Sequence, residues 1–402
     1  MEQISKRPSI VRDRYRSKYT CFEKFIHSIN AQPTKSVYTR YLKGFMKFSG
    51  FTKYEELVDI SDEDKYNLIS DYIIHMKEDR KVSYSSINSN FSAIKKFFAS
   101  NNIQLPWDQL KNFNRKKIGK VIDDRVYTKE EIIRLLDHSD LRMRVIVLTL
   151  LSTGMRAGGL AELKYKDLEY IEKYGIYKIT VYSYDIAEKY VTFCTPECAE
   201  AIQKYLKYRE SIGDIIKPES PIIYRKLVKI QYGGNKREMV ETNLFNDHIT
   251  SDSLQRSVSR LQHKSKVTEI IHSNDEYARG KIRKAMMRCH AFRKIFNSIC
   301  IEKNVNHYVK ERLLGHKASL GLDMNYMRDN LFTNGKEPDK LLLSEYLKVI
   351  DDLTVSDENK LKRENRILKT EKQILKTENE SFTTQMNKII LELHKNGMDI
   401  NI

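Results

Sequence analysis

Residues 19–105 repeat apolar side chains at the spacing of amphipathic α-helices, and no other feature constrains the fold as strongly. Within each repeat the apolar residues stand three and four positions apart, which places them on one face of a helix. A Gln-Pro pair, Gly50 and polar residues separate the repeats. The aromatic side chains are interpreted as core rather than as a ligand site, so the stretch predicts a small all-α domain. Its four helical patterns carry these apolar positions: Phe22, Phe25, Ile26 and Ile29; Val37, Tyr41, Leu42, Phe45 and Phe48; Leu68, Ile69, Tyr72, Ile73 and Met76; Ile87, Phe91, Ile94 and Phe98.

A different pattern follows toward the C-terminus. An apolar helix over residues 141–151 runs into Gly154, which ends the helix and leaves Arg156 directly beyond it. Residues 176–182 and 190–193 are rich in β-branched and aromatic residues and are joined by a turn, so they predict two neighbouring strands. The predicted fold class is therefore mainly α with a small antiparallel β-sheet, in which a helical domain precedes an α+β domain.

The C-terminal region contains an identical seven-residue repeat, ILKTE at residues 367–371 and again at 374–378. One heptad position stays apolar, whereas its companion position is polar, and this predicts a coiled coil whose polar positions weaken it and set its register. A single long helix that folds back on its own chain is the alternative. The apolar positions are Leu361, Leu368, Leu375, Phe382 and Ile389, and the polar ones are Asn365, Lys372 and Asn379.

The chain is strongly basic. It has 71 Lys and Arg residues against 54 Asp and Glu, which gives a formal net charge of +17. A surplus of this size favours a polyanionic partner, and nucleic acid is the commonest one. A generally basic cytoplasmic protein or a protein that binds anionic membranes is the alternative on charge alone. The candidate DNA contacts lie in a basic linker and at the tip of a hairpin predicted over residues 227–240: Arg115, Lys116, Lys117, Lys120, Lys236 and Arg237.

Membrane, secreted and metal-binding classes are not favoured. The longest apolar run, Val145 to Leu151, is far shorter than the roughly 20 residues that span a bilayer. The N-terminal segment lacks the apolar core of a secretory signal, so we expect an intracellular, cytoplasmic protein. The five scattered cysteines argue against a disulfide framework, and their spacing predicts no zinc site.

One polar stretch near the end of the second domain carries groups that can hold and attack a phosphodiester. His290 and Arg293 are three residues apart, so on a helix they lie one turn apart, and apolar residues on the opposite face would hold both outward. Gly315 is typical of a left-handed helix cap and would turn His316 back toward the same site. Tyr326 follows ten residues later in a short polar segment and is the candidate nucleophile.

Cleavage of a phosphodiester builds negative charge on the non-bridging oxygens in the transition state. Two guanidiniums suit this charge because each is permanently charged and donates in a fork, and Arg156 and Arg293 are the candidates. A tyrosine can attack the phosphorus and form a covalent intermediate. The leaving oxygen then needs a proton, which a lysine in a turn can supply. Lys189, just before the second predicted strand, is the candidate for this role, and Lys178 is the alternative.

In this order, the segments TGMRAGGLAELKYKDL, HAFR, LLGH and MNYMR resemble the motifs of the tyrosine recombinases, or phage-type integrases. The tail SEYLKVIDDLTVSDENKLKREN looks like that of archaeal integrases. The resemblance implies site-specific strand exchange on double-stranded DNA, in a mobile element, by four protomers that synapse two sites. It requires no metal and no other cofactor. The implied roles are the following: Tyr326 forms a 3′-phosphotyrosyl link, Arg156 and Arg293 clamp the phosphate, Lys189 protonates the leaving 5′-oxygen, and His290 and His316 assist.

The residue patterns also predict a division of the chain into domains. At position 159 the sequence departs from the family's motif, because Gly159 stands where the family often has an acidic residue after the first arginine. Two other functions stay open: a type IB-like topoisomerase that relaxes supercoils as a monomer, and a catalytically inactive DNA-binding scaffold of the same fold. The expected divisions are a basic arm (1–18), a helical DNA-binding or core-binding domain (19–108), a basic linker (109–126), a catalytic domain (127–350) and a coiled-coil-like C-terminal helix (351–402).

Overall fold

The computed structural model describes residues 18–114, 125–233, 236–268, 270–272, 282–284, 288–316 and 339–395. The chain divides into two compact units, which consist of residues 1–123 with 270–283 and of residues 124–269 with 284–402. The basic arm up to residue 17 and the linker residues 115–124 lie outside the described residues. Among the described helices, none has the length and apolar character needed to cross a membrane.

The first unit is helical. A capping box between Thr20 and Glu23 opens its first helix, and Gly50, at φ 77°, ends its second. The predicted apolar stripes form its core, with Phe25, Phe45 and Phe97 fully buried. The four predicted helices are confirmed, and two short ones were not predicted, namely α3 and α6. The helices are α1 (Cys21–His27), α2 (Gln32–Ser49), α3 (Tyr54–Asp59), α4 (Asp62–Ile74), α5 (Tyr84–Ser100) and α6 (Trp107–Lys111).

The second unit is mostly helical and encloses a small sheet. A capping box between Thr128 and Glu131 opens α7, and the Asp140 side chain caps α8. The buried helix α8 forms much of the core. The helices are α7 (Lys129–Asp137), α8 (Leu141–Thr153), α9 (Ala157–Glu162), α10 (Pro196–Ser211), α11 (Ser251–Lys264), α12 (Arg288–Glu302), α13 (His307–Leu313), α14 (Lys340–Leu347), α15 (Ile350–Leu353) and α16 (Asp357–Lys395).

The sheet of the second unit is antiparallel, in the order β1–β2–β3. The predicted pair β2 and β3 is confirmed, with Val181 opposite Tyr190. β1 was not predicted, because four residues with two exposed in the middle show no clear alternation. A longer hairpin, β4 with β5, contains the hairpin predicted over residues 227–240. The strands of the second unit are β1 (Leu168–Ile171), β2 (Ile176–Val181), β3 (Tyr190–Phe193), β4 (Tyr224–Gly233) and β5 (Lys236–His248). A separate pair of short strands, β6 (Ile270–His272) and β7 (Ile282–Lys284), involves residues 270–283, which are assigned to the first unit.

This architecture confirms the predicted fold class, a mainly helical chain with small antiparallel sheets. The C-terminal helix α16 continues for 39 residues, and its apolar heptad side chains are exposed where they are described.

Candidate functional site

The end of α8 positions the first arginine. Gly154 caps the helix at φ 62°, a left-handed conformation that glycine adopts without strain. The position also admits no side chain, because a Cβ there would lie 2.8 Å from the Phe296 ring and 3.0 Å from Leu314. The close packing joins the TGMR, HAFR and LLGH segments. Arg156 then precedes α9 as an exposed side chain, and its Nη1 lies 3.5 Å from the carbonyl oxygen of Gly315.

Arg293 on α12 lies inside the site and not on an outward face. The prediction that the helix holds His290 and Arg293 outward is wrong for Arg293, whose exposed fraction is 6%. Its Nη1 donates to the Gly154 carbonyl at 2.7 Å, and its Nη2 donates to the Leu314 carbonyl at 2.6 Å. Protein carbonyl oxygens thus take the place of water around the Arg293 guanidinium. His290, one turn earlier on α12, is exposed as expected.

A Schellman motif turns the chain back after α13 and brings His316 to the arginine. The His316 N–H donates to the Glu311 carbonyl and the Gly315 N–H donates to the Arg312 carbonyl, both at 2.9 Å. Gly315 has φ 67°, as this motif requires. The His316 Nε2 lies 2.6 Å from Arg293 Nη2, and its Nδ1 lies 2.8 Å from Glu311 Oε2. The predicted cap at Gly315 is confirmed.

These contacts assign the state of the His316 imidazole. A guanidinium only donates, so Nε2 accepts the hydrogen bond from Arg293 and carries no proton. Nδ1 therefore bears the hydrogen and donates it to the Glu311 carboxylate, which is buried and also lies 3.3 Å from the Lys310 ammonium. Glu311 was missed in the sequence. Its spacing of five residues from His316 is not a helical neighbour spacing, and only the reversal at Gly315 brings the two together.

The two guanidiniums lie close enough to interact. Burial lowers the pKa of Arg293, and the charge of Arg156 lowers it further, although an arginine stays protonated at any physiological pH. Arg293 has five N–H donors, of which three bind the Gly154 and Leu314 carbonyls and His316. The Arg293 guanidinium also interacts with the Tyr190 hydroxyl, so the donors of the exposed Arg156 are the ones most open to an anion. The site thus holds two positive charges for one phosphate.

Tyr190, the first residue of β3, borders the same arginines and was also missed. Its ring packs against Gly315, where a Cβ would lie 2.6 Å from a ring carbon. Burial raises the pKa of the Tyr190 hydroxyl to about 12, although Arg293 and Arg156 act in the opposite direction. Gly159 is packed just as closely, because a Cβ there would meet Val181 Cγ1 at 2.7 Å. An acidic side chain at position 159 would have no space.

The two candidate lysines have different surroundings. Lys189 ends the turn between β2 and β3 and is exposed, and within the described part of the chain no carboxylate pairs with it. Lys178 lies within β2, half-buried, with its ammonium 2.9 Å from Glu169 and 2.8 Å from Asp339. These hydrogen-bonded partners outweigh burial and raise the pKa of Lys178. Its proton is therefore held, and its three donors are largely used.

Several candidate residues fall outside the described part of the chain. Tyr326, Arg115, Lys116, Lys117 and Lys120 lie outside the described residues. Lys236 and Arg237 begin β5 next to the hairpin tip, as predicted, but their side chains lie outside the described part. The arrangement that is described therefore consists of Arg156, Arg293, His316 and Glu311, with His290 nearby on α12 and Lys189 in the sheet turn.

Comparison with known proteins relates this arrangement to a family. The phage integrase family profile matches residues 125–331, which is just over half of the chain. The fold resembles that of XerA recombinase, at 19% identity over 82% of this chain and 97% of that chain, with a TM-score of 0.32. It also resembles a lambda integrase dimer bound to a COC′ core site, at 16% identity over 78% of this chain and 94% of that chain, with a TM-score of 0.47.

XerH recombinase bound to a palindromic difH substrate is similar at 15% identity, over 77% of this chain and 80% of that chain, with a TM-score of 0.47. No curated protein sequence matches the chain significantly. The match to the family profile covers every described member of the site, from Arg156 to His316. The chain belongs to the phage integrase family, the tyrosine recombinases.

Proposed function

We propose that this chain is a site-specific DNA recombinase that cleaves and rejoins strands through a 3′-phosphotyrosine intermediate. The observation that carries the proposal is the exposed Arg156 beside the buried Arg293, whose guanidinium binds the Gly154 and Leu314 carbonyls and His316. Hydrogen bonds of this kind hold positive charge in place before the substrate binds. Preorganised charge is what a phosphoryl transition state requires.

In the proposed reaction, the Tyr326 oxygen attacks the phosphorus, and the bond from phosphorus to the 5′-oxygen breaks. The tyrosine proton passes to a base, for which His290 is the candidate, and the 5′-oxygen takes a proton from Lys189. The free ammonium of Lys189 supports this role over Lys178, which two carboxylates hold. A 5′-hydroxyl of the same or another strand reverses the steps. The covalent bond conserves the energy of the phosphodiester, so no cofactor is needed.

His316 takes a different part in the proposal. Its Nε2 lone pair is directed at Arg293, and its other nitrogen is held by Glu311. A neutral imidazole fixed at both nitrogens positions the guanidinium. We therefore assign His316 to orienting Arg293 toward the phosphate, and Glu311 to keeping His316 in the tautomer that allows this.

Double-stranded DNA is the proposed substrate, and the basic linker and the hairpin tip are its proposed contacts, through Arg115, Lys116, Lys117, Lys120, Lys236 and Arg237. A lambda integrase tetramer bound to a Holliday junction is among the similar structures. By analogy we propose that four copies assemble on two synapsed sites. We further propose that the protein acts in the cytoplasm and recombines the DNA of an archaeal mobile element. We also propose that the C-terminal helix contributes to self-association.

A covalent-trapping assay tests the proposal. The full-length chain is incubated with a library of duplexes that carry single nicks, so that cleavage releases a short fragment and leaves the protein attached. We expect an adduct on a subset of sequences for the unmodified chain and for Tyr308→Phe, a change at another tyrosine of the same motif region. Tyr326→Phe should bind DNA with similar affinity and form no adduct.

The outcomes separate the candidate functions. Absence of adduct on every duplex, together with retained DNA binding, would support the inactive scaffold. An adduct that persists in Tyr326→Phe would show that another residue is the nucleophile. Relaxation of a supercoiled plasmid by a monomer, without joining of two sites, would support the topoisomerase.

A further inference from the structure

The C-terminal helix α16 exposes an apolar stripe. Leu361, Leu368, Leu375 and Phe382 stand seven residues apart, and their exposed fractions are 60%, 56%, 59% and 63%. Apolar residues that recur every seven positions lie along one side of a helix, which is the side that packs in a coiled coil. A soluble helix rarely leaves such a row in water.

The second unit holds the opposite side of α16. The carboxylate of Glu197 accepts from the backbone N–H groups of Val355 and Ser356, just before the helix begins. Arg363 then binds Asp351 at 2.6 Å, and Arg366 donates to the Tyr170 hydroxyl at 2.7 Å. The helix is thus anchored at its first turns.

A single heptad assignment, with Leu361 and Leu368 at position d, places the leucine stripe and the anchored residues on different sides of the helix. The half-buried residues then fall at positions b, c and f, as Asn359, Lys360, Arg363, Ile367 and Thr370. These positions lie on the side away from a coiled-coil seam. The catalytic unit therefore leaves the stripe open to a partner, and the described helix does not bury it by folding back.

Charges beside the stripe identify the partner. In the same frame, position g carries Glu364, Glu371 and Glu378, and position e carries Lys369 and Lys376. In a parallel pair of these helices, each g residue meets the e residue five positions later in the partner, so Glu364 meets Lys369 and Glu371 meets Lys376. An antiparallel pair would instead oppose Glu to Glu and Lys to Lys. The pattern thus complements a second copy in parallel orientation.

The polar companion positions agree with that orientation. Asn365 and Asn379 take position a, where paired asparagines of two aligned helices can hydrogen bond across the seam. Lys372 takes the a position between them, and in an aligned pair the two lysine side chains extend their ammonium groups from the seam into water. A slip of one heptad would break both Asn–Asn pairs and leave an Asn opposite Lys372. Buried Asn at this position favours two strands in register at a cost in stability.

We propose that two copies of this chain associate through α16 as a parallel, in-register, two-stranded coiled coil. The partner surface is the stripe from Leu361 to Phe382 with its flanking Glu and Lys residues. Because α16 is anchored to its own second unit, both catalytic units lie at the same end of the coiled coil. The association needs no DNA, and it does not depend on the strand-transfer activity proposed above.

Light scattering on the full-length chain without DNA tests the association. We expect twice the 47.4 kDa chain mass at micromolar concentration. Replacing two exposed stripe residues, Leu368→Asp with Leu375→Asp, should give the single-chain mass with an unchanged circular dichroism melting profile of the second unit. As a matched control, Thr377→Asp with Thr384→Asp adds the same charge on the opposite side of the exposed helix and should leave the mass doubled.

A disulfide test fixes the orientation. Leu361→Cys should form an interchain disulfide on mild oxidation, because parallel, in-register helices bring the two positions together. Thr377→Cys, which lies away from the seam, should not. In an antiparallel pair, position 361 would face the far end of the partner helix, about 45 Å from its own counterpart at 1.5 Å per residue over some 30 residues. The five native cysteines are buried and do not compete.

Three results would overturn the proposal. A single-chain mass for the unmodified protein excludes the second copy as the occupant of the stripe. A doubled mass with no Leu361→Cys crosslink excludes the parallel register, and a doubled mass that survives Leu368→Asp with Leu375→Asp places the dimer contact elsewhere. Loss of covalent DNA adducts in the Tyr326 assay would leave the mass and crosslinking results unaffected.

Discussion

Arg156 and Arg293 carry the same charge, and both should be required for cleavage, but they should differ sharply in their contribution to stability. Arg293 is buried and donates to two carbonyl oxygens of buried residues, Gly154 and Leu314. Arg156 is exposed, and its one described contact with the protein, to the Gly315 carbonyl, is 3.5 Å long. Truncation to alanine therefore removes different amounts of structure from the two positions.

The magnitude follows from the acceptors that Arg293→Ala leaves without a donor. Each buried, unsatisfied acceptor costs about 1–3 kcal/mol, so two carbonyls cost roughly 2–4 kcal/mol once partial access of water is allowed. His316 is partly exposed and can bind water instead. In a unit of this size, each kcal/mol lowers the melting temperature by about 2–4 °C. Arg156→Ala should change the stability by no more than about 0.5 kcal/mol, as is usual at a surface position.

Thermal melts followed by circular dichroism measure the difference. The chain has a single tryptophan, Trp107, which lies in the first unit, so its fluorescence serves as an internal control that neither substitution should change. Both variants should lose adduct formation by orders of magnitude, because each removes preorganised charge. Equal melting temperatures for Arg156→Ala and Arg293→Ala would refute the view that Arg293 ties the three motifs together.

Three further predictions concern the surroundings of the arginines. Glu311→Ala should slow adduct formation by about tenfold to a hundredfold, because a charge-assisted hydrogen bond to His316 contributes about 1.5–3 kcal/mol, and Glu311→Gln, which still accepts from Nδ1, should slow it less. The pKa of Tyr190 rises from 10 to about 12 on folding, so the folded state keeps this proton while the unfolded state loses it. Stability should therefore fall as the pH rises from 10 to 12, and Tyr190→Phe should flatten this part of a denaturation series. Lys189→Ala should reduce strand cleavage on a normal duplex and should be rescued by a substrate with a 5′-thiolate leaving group, which needs no proton, whereas a matching result for Lys178→Ala instead would reverse the assignment.

The sequence predicted those parts of the site that depend on local rules. Gly154 and Gly315 were identified as helix ends because a glycine after an apolar helical run is the usual left-handed cap, and both have positive φ. The turn between β2 and β3 followed from two short β-rich segments. Each of these features is decided by residues within one or two turns of chain. The structure agrees with them closely.

Features that depend on packing between distant segments were not accessible. The helical pattern placed Arg293 on the outward face because arginine is polar. The two carbonyl oxygens that bind its side chain on the buried side belong to distant segments, so the pattern does not include them. Glu311 had no signal, since its contact with His316 exists only after the chain reverses at Gly315. Nothing in the sequence distinguishes Tyr190 from the other tyrosines of the chain, 24 in all, because its contact with Gly315 forms only in the folded structure. Such contacts are tertiary, and no period of the sequence encodes them.

The different settings of the two arginines also determine which of them is informative about activity. Arg293 satisfies buried carbonyls, so a chain of this fold would need it for stability even if it no longer cut DNA. Its presence therefore does not separate a recombinase from an inactive scaffold. Arg156 makes one long contact from an exposed position beside that cation, where like charges repel and packing gains little. No carboxylate of the described residues pairs with Arg156, so an anion that binds beside the two guanidiniums would stabilise its charge. Arg156 is thus the described residue that argues most directly for phosphate chemistry.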